Sequence, residues 1–237
     1  VSPSVSLPNR FCSIACLSVM LAGLNRLGMI VDISHVSDAT IDDVLAISRA
    51  PVMASHSSCR ALSNMPRNLT DDQIKRVAAK GGLIMINFGS GFLDQSVWDW
   101  FKKAVVKIRP DWVRLREKHK GDPAAFAAAT APLWAQLGAP PRAPWIKIVE
   151  HIEHAIKIGG EDVVGLGTDF DGIPDPPTGM GDVSMLPKIT EELLRRGHSE
   201  ARIKKILGEN FLAFFGRIEA TRTSLAKEPP STAVYRK

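Results

Sequence analysis

Four short apolar runs recur along the chain, Met29–Ile33, Pro51–Ser55, Leu83–Phe88 and Val163–Gly167, and helical stretches separate them. Each run ends abruptly in small polar residues. Nearly continuous apolar strands alternating with helices predict an α/β fold, a parallel sheet covered on both faces. A helix is predicted over about 11–27, stopping at Gly28, because glycine accepts the left-handed conformation that ends helices. Ser37 or Asp38 caps a second helix through about Ser48, with acidic residues in its first turn, where the helix dipole favours them. Pro51 opens the second strand, a position where proline is tolerated. After a polar loop, Thr70 caps a helix over Asp71–Lys80 that Gly81-Gly82 closes.

Between the third and fourth strands lies a long excursion, about 93–160, rich in Trp and Ala and broken by Pro140–Pro144. It reads as a helical insertion over about 93–145, followed by a crossover helix, Trp145–Ile158. A proline- and glycine-rich loop, Ile173–Gly181, follows the fourth strand. Two helical segments finish the fold, Leu186–Arg196 and one capped at Ser199 that runs through Glu219 with a break at Gly208. Residues 1–10 read as irregular and 221–237 as a polar tail, leaving 1–220 as a single domain.

With 237 residues, 45% of them hydrophobic, the chain can bury the core of one domain. Its net charge of +5 is spread out, and basic pairs such as Arg195-Arg196 and Lys204-Lys205 sit in helical patterns beside acidic residues. These are solvated helix faces, so no nucleic-acid partner is expected. Cys12, Cys16 and Cys59 form no CxxC pair and leave one over, which argues against a disulfide framework and favours a reducing compartment, the cytoplasm over the periplasm. The apolar run Phe11–Leu24 is shorter than the about 20 residues a spanning helix needs, and no cleavage site follows it. It reads as a buried or half-buried helix, oddly poor in charge, and no transmembrane span is expected.

The candidate chemistry sits at the strand ends. His35 and His56 occupy the same position in two successive strand–helix units, so their imidazoles converge, and neutral imidazole is the commonest zinc ligand. Asp32, three residues before His35, is either an orienting carboxylate or a polar strand residue. Asp169 and Asp171 flank Phe170 in a Gly-Thr-Asp-Phe-Asp-Gly turn, and Asp169, nearer the strand end, is the better placed for proton transfer. Arg67, in the loop after His56, can fork onto a carboxylate. His151 and His154 make an HxxH without the Glu partner of a zinc-peptidase helix and read as structural; His198 reads as exposed.

The segment Asn25 to Ser37, the run Ala50 to Ser58 followed by Pro66 to Asp71, the turn Gly165 to Gly172 and the closing Gly208-Glu209-Asn210-Phe211-Leu212 together resemble the renal, or membrane, dipeptidase family of zinc peptidases. The resemblance covers about Asn25 to Ile218. It implies a TIM barrel with two zinc ions bridged by a carboxylate and a hydroxide that attacks the peptide carbonyl of a dipeptide. His35 and His56 would be ligands of one zinc, Arg67 would bind the substrate carboxylate, and Asp169 would contact the bridging water or the departing amine. The family's first-strand His-x-Asp pair and bridging glutamate lie upstream of the helix preceding the His35 strand, and nothing in Val1–Leu24 resembles them. The chain therefore reads as strands five to eight of the barrel, a half shortened at its start, with at most one zinc well liganded.

Two functions follow. One is a metal-dependent dipeptidase acting on dipeptide substrates. The other is a non-catalytic half-barrel that forms a homodimer or joins another chain to cover its exposed edges. A phosphate-binding α/β protein fits less well, because no glycine-rich loop precedes a helix.

Overall fold

The four apolar runs become four strands, each shorter than its run. The computed structural model describes residues 10–230; the expected irregular start, 1–9, and residues 231–237 of the expected tail lie outside them. Strands β1 (Val31–Asp32), β2 (Val52–Ala54), β3 (Leu83–Ile86) and β4 (Val164–Leu166) are parallel and pair in chain order. The pairing Val31 with Val52, Met53 with Leu83 and Ile84 with Val164 staggers each strand against the next.

Because every strand pairs with its sequence neighbour, right-handed crossovers place the connecting helices on one face. These are α2 (Asp38–Ile47), α3 (Asp71–Ala79) and α7 (Ile146–Gly159). Ser37 caps α2, accepting from Thr40 N, and Thr70 with Gln73 forms a reciprocal capping box on α3. Val31, Val52, Ala54, Ile84, Ile86 and Val164 point into this layer and form the main core with Val44, Ile74, Val77 and Ile148. The opposite face is covered in a way the sequence pattern did not predict. There Ile30, Met53, Leu83 and Met85 meet Phe211, Phe214 and Ile218 of the last helix, named α10 below. The expected cover on both faces is thus one layer of connecting helices and, over the lower half of the other face, a single C-terminal helix.

The first helix, α1 (Arg10–Leu27), ends at Gly28 with φ 73°, as its glycine predicts, and packs on α2 and the last helix. Among the described residues no helix is long and apolar enough to cross a membrane. Between β3 and α7 lie α4 (Ser90–Leu93), α5 (Gln95–Lys118) and α6 (Pro123–Ala135). After β4 come α8 (Pro187–Arg195), α9 (Glu200–Lys204), a π-helical turn at Lys205–Glu209 where a break was expected, and α10 (Asn210–Leu225). Two readings need correction. The last helix does not give way to a tail at Thr221 but continues to Leu225, whose buried side chain anchors it. His198 is not exposed; its Nε2 lies 3.1 Å from Glu153 Oε1, with 10% of its side chain accessible, because α8 folds back on α7.

The HxxH pair is structural. His154 Nε2 lies 2.8 Å from Asp71 Oδ1, tying α7 to α3. His151 is fully buried, its Nδ1 accepting from Cys59 N at 3.0 Å and its Nε2 donating to Leu93 O at 3.1 Å. Both ring nitrogens are therefore satisfied only in the neutral form, and burial pushes its pKa down from 6.5 to about 4. The folded value lies below the unfolded one, so as pH falls the unfolded chain takes this proton first. The stability linked to His151 is complete above the unfolded pKa and is lost as pH drops through the interval between the two values. The loss at pH 4 is expected to approach ~3 kcal/mol. Urea unfolding at pH 7 and near pH 4 tests this; a His151→Gln variant with the same pH dependence as the parent would sink it.

Candidate metal centre

At the C-terminal end of the sheet, β1 and β2 lie side by side and their polar ends emerge together. His35 Nε2 and His56 Nε2 approach to 2.7 Å, with ring centroids 4.8 Å apart and planes inclined by 58°. The two imidazoles predicted to converge do so.

The hydrogen bonds around them fix the tautomers. Asp32 Oδ1 accepts from Ser34 N at 2.9 Å and Ser55 N at 3.1 Å, and Oδ2 accepts from the Ser55 hydroxyl. Having donated to Asp32, Ser55 Oγ is left to accept from His56 Nδ1 at 2.6 Å. His56 Nε2 is then a bare lone pair. Arg67 donates to His35 Nε2 at 3.0 Å, so that nitrogen also presents its lone pair. Two lone pairs facing each other at 2.7 Å repel, and a metal, too large to fit between the nitrogens, relieves this only from beside them. Asp32 does orient an imidazole, but it is His56, through Ser55, and not His35. Desolvation alone would raise its pKa, yet the Ser55 hydroxyl and the Ser34 and Ser55 amides hold the carboxyl below its usual range. Burial pushes the His56 pKa down and outweighs the opposing field of Asp169, so the neutral ligand form is favoured.

Arg67 is held by a bond from Nε to Ser34 O at 3.0 Å and by stacking over Phe92, 4.9 Å from the ring centre. Asp169, past the end of β4, is the one non-glycine among the described residues in the left-handed region, at φ 57°. Such a conformation is sparsely populated and marks functional turns. Asn87 Nδ2 donates to Asp169 Oδ2 at 3.0 Å, and Gly172 must lack a side chain because a Cβ there would strike the same carboxylate. Asp169 and Arg67 line one cavity, while Asp171 is exposed and outside it.

The donor set fits a borderline cation such as Zn2+, for which imidazole is a preferred ligand, but it fills two positions only. Among the described residues no group of three or more His, Cys, Asp or Glu side chains is arranged to hold a metal. Sequence reading missed Ser55 and Asn87 as parts of the site. Both carried a signal, a polar residue ending an apolar strand, and register alone reveals what each one touches.

A model of the family described as membrane dipeptidase, peptidase family M19, matches residues 18–229. An uncharacterized dipeptidase of Schizosaccharomyces pombe is 32% identical over 226 residues, which are 94% of this chain and 43% of that protein. The solved structure of the probable dipeptidase PvdM from Pseudomonas aeruginosa is 30% identical, with a TM-score of 0.71 over 86% of this chain and 54% of that one. A metallo peptidase from Rhodobacter sphaeroides, solved with a phosphinate mimic of the dipeptide L-Ala-D-Ala, is 27% identical, with a TM-score of 0.64 over 85% of this chain and 46% of that one. The chain spans about half the length of these relatives.

Proposed function

This chain belongs to the membrane dipeptidase family, peptidase family M19, and from that premise we propose that it serves metal-dependent hydrolysis of dipeptides, with zinc as the metal. The observation that carries this reading is the convergence of His35 Nε2 and His56 Nε2 at 2.7 Å beside the Arg67 guanidinium. A zinc ion held by His35 and His56 would supply Lewis-acid polarisation of the scissile carbonyl and acidify water. Ser55 and Asp32 keep His56 in the ligand tautomer. Arg67 forks onto the C-terminal carboxylate of the dipeptide and fixes its register. Asp169, one oxygen engaged by Asn87, has the other for a proton on its way to the departing amine.

We read the sheet as strands five to eight of a TIM-type barrel, one domain with a helical insertion over about 93–145. The sequential parallel order and the stagger between strands support this. At most one zinc is well liganded by these residues. The alternative is a half-barrel whose role is association, for which the exposed apolar residues Met20, Leu212 and Phe215 would be the places to cover. A second copy covering them would give a homodimer, and light scattering showing a monomer at micromolar concentration would count against it.

Hydrolysis of a simple dipeptide such as Gly-Leu, followed by amine release with Zn2+ and after chelation, tests the catalytic reading. Zinc-dependent turnover is expected, and Arg67→Gln should raise KM by about 10- to 100-fold, the worth of a charged hydrogen bond pair. Turnover indifferent to chelation would overturn the metal role.

A further inference from the structure

The cavity shared by Arg67 and Asp169, about 260 Å3, holds a third charged group that the proposed reaction does not use. Its lining includes the apolar side chains of Phe92, Trp98, Phe101, Ile173 and Pro174. Asp175 lies in the loop after β4 and also lines this space. Only 6% of the residue is accessible, and its Oδ2 is buried with no hydrogen-bond partner among the described residues. The residue is fixed in place by its own backbone, whose carbonyl accepts from Ser90 N at 3.2 Å and from Ser90 Oγ at 2.7 Å. Ser90 starts α4, so the loop carrying Asp175 is locked to the helix carrying Phe92. The charged groups facing it are few. Arg67, stacked on Phe92, and Asp169 line the same cavity, and Arg142 lies near enough to be felt but makes no hydrogen bond to the carboxylate.

A buried carboxylate oxygen without a partner is costly, and natural proteins keep one where a ligand completes it. Burial pushes the Asp175 pKa up, opposed only in part by its own backbone amide and then by Arg142. Aromatic walls suit the methylene stem of a long cationic side chain and attract the cation itself.

We infer that this cavity is the side-chain subsite for the C-terminal residue of the substrate, and that Asp175 selects a basic side chain there. The inference rests on the proposed dipeptidase reading for the orientation, since Arg67 must take the C-terminal carboxylate for that residue's side chain to enter beside it. The subsite itself rests on the cavity and on Asp175.

Calorimetric titration of the zinc-supplemented protein with Gly-Lys and with Gly-norleucine, which has a similar stem and no charge, tests it. Gly-Lys is expected to bind about tenfold more tightly, and Asp175→Asn should bring the ratio to about one. Asp175→Lys should reverse the preference toward Gly-Glu, provided circular dichroism shows both variants folded. Should neither variant fold, Trp98→Ala takes their place and should reduce the ratio by removing a wall. Equal affinity of the parent for the two dipeptides, absence of binding to either, or tighter binding of Gly-norleucine overturns the subsite. Parallel hydrolysis assays separate the two claims. A tenfold binding preference without turnover keeps the subsite and sinks the catalytic reading, whereas turnover without preference does the reverse.

Discussion

Replacing His56 by alanine is expected to lower the affinity for Zn2+ at least about 100-fold, since loss of an outer-shell partner alone costs about 10- to 100-fold and this change removes a ligand of the proposed site. The expectation comes from the bond inventory. His56 Nε2 is a lone pair because Nδ1 is committed to Ser55, and the only other imidazole nitrogen beside it belongs to His35. A two-ligand site that loses one ligand keeps no chelation. The fold should survive, because His56 is half-buried at the top of the sheet and contributes no packing to either apolar cluster. Calorimetric titration with Zn2+ measures the affinity, and His154→Ala, which breaks only the pair with Asp71, serves as the control. Equal zinc affinity in parent and His56→Ala would remove the metal centre from consideration.

Phe214→Ala should have the largest effect on stability, about 3–5 kcal/mol, the usual cost of emptying a fully buried phenylalanine site. Phe214 is inaccessible and stands at the middle of the small cluster with Ala50, Leu83 and Ile218 that fastens α10 to the sheet. Elsewhere α10 is held by α1, by buried Leu225, by Asn210 Nδ2 donating to Val164 O at 2.8 Å and by a bond from Arg217 Nε to Gly81 O at 2.9 Å, with an exposed pair between Arg49 and Glu228 just beyond its end. Surface pairs of the latter kind contribute little. For a chain of this size the loss corresponds to a fall in Tm of roughly 10 °C. Scanning calorimetry measures it, and the exposed neighbours provide the contrast, since Leu212→Ala should change Tm by less than about 2 °C. A small shift for Phe214→Ala would mean that α10 does not rest on this face.

Much of the site was legible in the sequence because its signals are local. An apolar run that stops at Ser-His announces a strand end bearing an imidazole, and a glycine after a helix announces where it stops. Asp169 was legible by its place in the turn, although its left-handed backbone was not, since any residue in a Thr-Asp-Phe-Asp-Gly string can take an ordinary turn. Ser55 and Asn87 illustrate the limit. Each ends a strand as a small polar residue, yet Ser55 becomes a relay only because Asp32, 23 residues earlier, is brought opposite it by the pairing of β1 with β2. Asn87 reaches Asp169 across 82 residues for the same kind of reason. Asp175 offered no signal at all, because an aspartate among prolines in a loop reads as solvent-exposed.

The sequence by itself determined the alternation of strands and helices, the helix caps, and the two histidines at successive strand ends, since each depends on the chemistry of a few adjacent residues. Which face of the sheet the last helix covers, which imidazole Asp32 orients, and which carboxylate is left buried without a partner depended on tertiary structure. These follow from the register between strands and the route of long connections, and both are set by the summed burial of residues far apart in the chain.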